Sequence, residues 1–145
     1  MIHSVASKVA APRLAGMTHR LALFALPLLA ACATPGQSDA QLAGTRWTFV
    51  TIDGQAPVSN RTELTIEANR IGANVGCNGM GSDLKIEGGR LVTNGVISTK
   101  MFCEPIATQE MAVGALLDAS PSYRLVGDRL TLTSPGHRVE LKRVN

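Results

Sequence analysis

The chain has 145 residues, a formal net charge of +3 and three cysteines. Lys8, Arg13 and Arg20 supply the whole positive excess and all precede residue 32, so the remainder is formally neutral. That excludes the clustered, uncompensated Lys and Arg of a nucleic-acid footprint, and no nucleic-acid partner is expected.

In chain order, Arg20 opens an apolar run, Leu21–Leu29, which ends on the small pair Ala30-Ala31. A charged start, an apolar middle and small residues at the end are the layout of a secretory signal peptide. The run contains Pro27 and is too short to cross about 30 Å of hydrocarbon as a helix. Cys32 follows Leu29-Ala30-Ala31 directly, and the segment resembles the lipobox of bacterial lipoproteins. The resemblance implies cleavage before Cys32, a diacylglycerol on its thiol and acylation of the new amino terminus. Two or three acyl chains exceed the roughly two signals that stable membrane anchoring needs. Residues 1–31 are therefore expected to be removed, and 32–41 to be the lipidated cysteine and a flexible tether of small polar residues. Residues 42–145 are expected to form one domain with a single core. Ala33 rather than Asp after the cysteine looks like an outer-membrane sorting signal, which puts the domain on the periplasmic face.

The domain reads as a series of short strands. Thr45–Ile52 is rich in aromatic and β-branched residues and stops at the turn pair Asp53-Gly54, with Trp47, Phe49 and Thr51 on one face. Leu64–Glu67, Ile71–Val75, Asp83–Glu87, Leu91-Val92 and Val96–Thr99 follow, with Leu84 and Ile86 inward and turn residues between the runs. Tyr123–Val126, Arg129–Thr133 and Arg138–Val144 complete an antiparallel meander. The stretch Glu104–Asp118 breaks this period. It has helix formers throughout and Pro105 near its start. Ile106, Val113, Leu116 and Leu117 share a face, with Gln109 and Asp118 off it. The expected fold is mainly β: a curled antiparallel sheet, or partial barrel, of about seven or eight short strands packed around one α-helix.

Cys77 and Cys103 remain once Cys32 is assigned to the anchor. The oxidising compartment makes them a candidate disulfide closing about 27 residues, worth about 3.5 kcal/mol in the chain-entropy model. Two buried thiols are the alternative reading. Gly76-Cys77-Asn78-Gly79-Met80-Gly81 lacks the lysine and Ser/Thr of a phosphate loop and leads into a strand. It reads as a tight bend with positive φ, for which Asn78-Gly79 is suited. Ser98 and Lys100 invite a hydrolase reading, but no orienting group or oxyanion hole accompanies them. His137 lies in a Pro-Gly turn and reads as a solvated turn residue. Without paired cysteine or histidine spacing no metal is expected, and the carboxylates are spread singly. Arg138, Lys142 and Arg143 read as a solvated strand face.

The order Trp47, Gly76-Cys77-Asn78, Thr99 to Cys103 with Met101 between, Glu110 and Leu130-Thr131-Leu132 resembles the META domain (HslJ-like) family over roughly Leu42 to Val144. The resemblance implies a curled antiparallel sheet around one helix, no established catalytic residue and no cofactor. It also implies an association with envelope stress, heat or antibiotic tolerance, and in some members motility or secretion. The expectation is a membrane-anchored envelope lipoprotein that is not an enzyme: a stress-tolerance or envelope-assembly binding module with an envelope protein as partner. A carrier or sensor of a lipid or other apolar small ligand, held inside a small β-barrel, is the alternative. A hydrolase is the third reading.

Overall fold

A computed structural model describes residues 39–145. The expected signal, the lipidated Cys32 and the tether as far as residue 38 lie outside the described residues. Asp39–Gln41 forms a 3-10 turn where open tether was expected. It leads straight into Leu42, which is fully buried and whose carbonyl accepts a hydrogen bond from the Thr45 hydroxyl.

The strands are β1 (Thr45–Ile52), β2 (Glu63–Ile66), β3 (Arg70–Asn74), β4 (Gly79–Glu87), β5 (Arg90–Thr93), β6 (Ile97–Ser98), β7 (Ser122–Val126), β8 (Arg129–Ser134) and β9 (His137–Val144). The helix α1 spans Ala107–Asp118. The sheet runs β3-β2-β1-β9-β8-β7-β5-β4, and an antiparallel β3–β4 pairing joins its ends into a closed barrel, with β6 attached to β4 outside that ring. Alternation decides which side chains fill it. In β8 Leu130 and Leu132 turn inward, and in β9 Val139 and Leu141 do so. The register stacks these residues into layers. Phe49, Leu141 and Leu130 are direct partners, as are Ile52, Val139, Leu132 and Tyr123. A further row runs Trp47, Leu64, Ala73, Met80 and ends on Ser98 of β6.

One expectation for β1 changes. A bulge between Phe49 and Thr51 shifts the register, so Ile52 rather than Thr51 joins the core. β4 also starts earlier than expected, at Gly79. Its first residues carry little β-propensity, and pairing with both β3 and β6 extends the strand.

β5 and β7 meet at a single pair, Arg90 and Ser122. The helix touches β1, β5, β8 and β9 and buries Val113, Leu116 and Leu117 completely in the common core. Each such side chain contributes about 1.5–3 kcal/mol of burial free energy. With Trp47, Leu64, Leu91 and Leu132 also fully buried, packed side chains occupy the space an internal ligand would need. The helix starts at Ala107, after a separate turn in which the Ile106 N–H donates to the Cys103 carbonyl. Side chains of β5 tie down the helix end and the residues that follow it. The Thr93 hydroxyl donates to the Leu117 carbonyl at 2.6 Å, and the Arg90 guanidinium donates to the Ser120 carbonyl.

Candidate functional site

Val75, just after β3, is fully buried, and the chain turns at Gly76 with φ 126°. The Gly76 N–H donates to Asn74 Oδ1 at 2.7 Å, which closes the bend. The positive φ therefore sits at Gly76 and not at Asn78-Gly79. Only glycine fits there, since a Cβ would overlap the side chain of Ser59. Cys77 follows and is disulfide-bonded to Cys103, with the two Cα atoms 6.3 Å apart.

Asn78 is buried and uses its whole side chain. Its Nδ2 donates to the Met101 carbonyl at 2.8 Å, while its Oδ1 accepts from the Met101 N–H at 2.8 Å. The carboxamide thus pairs with Met101 as a strand residue would, adding one rung where the β4–β6 ladder ends. The Thr99 hydroxyl donates to Asn78 Oδ1 at 2.9 Å and accepts from the Gly79 N–H at 3.2 Å. Glu110, in the first turn of α1, accepts the Asn78 backbone N–H on one carboxylate oxygen and Nδ2 on the other, the latter at 2.8 Å. An acidic group there also suits the helix dipole.

These motif residues, together with Cys77 and Cys103, form one latch that fixes residues 99–103 against β4 and α1. Trp47 stands apart from them. It is fully buried, its Nε1 donates to the Thr45 hydroxyl at 2.7 Å, and the Arg143 guanidinium lies 4.8 Å from its ring centre. Arg143 is therefore not simply part of a solvated face.

Gln109 corrects the expected helix face. It is buried beside Glu110 because its carboxamide accepts from the Val58 N–H at 2.8 Å and donates to the Ala56 carbonyl at 2.9 Å. Met111, a residue type that usually seeks the core, faces outward instead.

The latch presents an apolar surface. Ile97 is 81% exposed, Phe102 80%, Met111 68% and Met101 60%. Among the described residues, the other large exposed apolar side chains are valines: Val58, Val126 and Val144. Between residues 96–102 and α1 runs an open groove of about 640 Å³. Ala107, Met111, Gly114, Ala115 and Asp118 form its helical wall, at the spacing of one helix face. Val96, Ser98 and Lys100 stand opposite, over a floor that includes Met80. Sequence reasoning missed this groove because the period marks apolar positions but does not say which of them a fold leaves uncovered.

The remaining candidates do not join it. The Ser98 hydroxyl donates to the Thr99 carbonyl at 2.9 Å, and no hydrogen bond connects it to Lys100. His137 is more than a solvated turn residue, because its Nδ1 lies 2.9 Å from Asp53 Oδ2. The Arg138 N–H donates to Asp53 Oδ1 at 2.9 Å. Burial of Asp53 works against ionisation, but the bonds from Arg138 and His137 and the attraction of the imidazole outweigh it. They hold the carboxyl below its ordinary range. Among the described residues, no group of His, Cys, Asp and Glu is placed to hold a metal ion.

Fold and groove together define a small closed β-barrel, sealed by one helix, with an open apolar cleft on the outside. The family model for the META domain matches residues 40–145, and the chain belongs to that family. Two structures determined by NMR share the fold. One is 21% identical with a TM-score of 0.64, over 72% of this chain and 93% of its own. The other, from Burkholderia xenovorans, is 18% identical with a TM-score of 0.59, over 74% of this chain and 86% of its own. No curated protein matches the sequence.

Proposed function

We propose that this protein is a lipoprotein of the bacterial envelope, anchored through Cys32, whose META domain is a binding module that performs no catalysis. The groove between residues 96–102 and α1 is its binding face. The carrying observation is that the exposed side chains of Met101, Phe102 and Met111 line one cleft. Contiguous exposed apolar surface of this kind marks an interaction site, and methionine adapts to varied partners. Outer-membrane sorting through Ala33, a periplasmic-facing domain and a role in stress tolerance or envelope assembly complete the reading.

The test places a benzoylphenylalanine photo-crosslinker at position 102 in intact envelopes, with position 126 as control. Adducts at 102 that disappear in Ala115→Trp support the groove, whereas equal labelling at both positions refutes it. Cys32→Ser is expected to abolish acylation and move the protein from membrane to soluble fractions; unchanged fractionation would refute the anchor. Ester or peptide hydrolysis lost in Ser98→Ala would overturn the reading as a module without catalysis. A second reading keeps an apolar small ligand but moves it from the filled barrel interior to this external groove, a shift favoured by the apolar lining.

A further inference from the structure

The groove is bounded on one side by the free edge of a strand. β3–β4 pairing closes the ring of eight strands, and β6 bonds only to β4, so among the described strands it alone ends the sheet order unclosed. The Thr99 N–H donates to the Gly79 carbonyl at 3.1 Å, and Ser98 stands opposite Met80. In antiparallel alternation the N–H and C=O of Ser98 therefore point away from β4, towards the groove side. An unpaired strand edge is a template for another strand.

The length and charge of the cleft narrow the occupant. The 12 residues of α1 run about 18 Å at 1.5 Å each, which accommodates about five residues of extended chain at roughly 3.3 Å each. The Val96 N–H donates to Asp118 Oδ1 at 3.2 Å, so residues 96–101 run antiparallel to the helix, from its carboxyl end towards Asn78 and Glu110. The groove thus has Asp118 at one end and Lys100 at the other, the Glu110 carboxylate near Lys100 being bound by Asn78. An acyl chain would cover the outward groups of Ser98 without hydrogen-bonding them, a cost that an extended peptide avoids.

We infer that the groove binds an extended segment of a partner polypeptide by strand addition to β6. The segment lies antiparallel to β6, with apolar side chains at alternate positions against Met80, Met111 and Gly114. An acidic residue precedes them at Lys100 and a basic residue follows them at Asp118. Main-chain pairing supplies affinity, and the alternate side chains supply selectivity.

This inference rests on the groove being the binding face, and the test separates the two. Random seven-residue peptides are displayed against the full-length chain in lipid nanodiscs, and palmitate is titrated in parallel. Enriched peptides are expected to alternate apolar and polar residues between an acidic amino end and a basic carboxyl end. Methylating the peptide nitrogen opposite Ser98 is expected to weaken binding at least about tenfold, and bound peptide to slow exchange of the Ser98 amide by a similar factor. Lys100→Glu is expected to enrich peptides with a basic amino end. Binding at the groove that tolerates the methylation, palmitate binding there with no peptide enriched, or self-association that protects residues 96–101 would each overturn strand addition while leaving the binding face intact. Neither peptide nor palmitate binding, with no crosslink at position 102, would overturn both.

Discussion

Asn78 shows why a short motif needs one residue type. Aspartate has no donor for the Met101 carbonyl and would set its charge against Glu110, while alanine leaves both backbone groups of Met101 and the Glu110 carboxylate short of partners. Buried polar groups that lose partners cost about 1–3 kcal/mol each, so Asn78→Ala is expected to destabilise the domain by about 2–4 kcal/mol. The measurement is a urea midpoint shift at unchanged slope. In a double-mutant cycle with Glu110→Ala the two losses should fall short of additive, because they share bonds. Gly76 is constrained differently, by both backbone angle and space. Gly76→Ala is expected to cost about 2–4 kcal/mol, combining backbone strain with overlap against Ser59. Adding Ser59→Gly removes the overlap with Ser59 but neither the φ of 126° nor the 3.1 Å approach to Ile106 Cδ1, so calorimetry should show partial recovery only. Full recovery would mean that the backbone angle contributes nothing.

At the scale of elements, the segment from β6 to α1 is held twice, by the disulfide and by the Asn78–Glu110 bonds. The disulfide closes a loop between residues separated by 26 positions. Replacing both cysteines with alanine is expected to cost about 3.5 kcal/mol, chiefly by freeing the unfolded chain. The Met101 amide, still paired with Asn78, should keep its exchange protection under native conditions; its loss would show that the disulfide alone holds the groove wall. Much of this element plan was legible in the sequence. Alternation and turn residues mark β1, β8 and β9 within a residue or two, because one face of each is buried. The front of β4 was not, since Gly79, Gly81 and Ser82 become strand through pairing with β3 across the turn at 75–78 and with β6 rather than through propensity. Nor was the face of α1, because hydrogen bonds bury Gln109 and Glu110 and an open groove exposes Met111.

At the scale of the whole molecule, closure of the barrel was the least legible feature. It depends on β1 pairing with β9 at the far end of the domain and on β5 meeting β7 at one pair, and no local pattern carries those contacts. Asp53 contributes a second long-range tie. It joins the turn after β1 to the β8–β9 hairpin, through the His137 ring and the Arg138 N–H. Its carboxyl is held below the ordinary range, so folding favours the ionised form. Such a depressed group contributes stability that is present above its unfolded value, about 3.9, and is lost as pH falls through the lower folded value. The side chain is 39% exposed, so solvent screening keeps the contribution in the range of about 0–1 kcal/mol. Asp53→Asn should therefore lower the urea midpoint slightly at pH 6, and the two proteins should converge as pH falls through the acid range towards about 2.5. A gap of the same size at both pH values would locate the contribution in the shape of the turn rather than in the charge of the carboxylate.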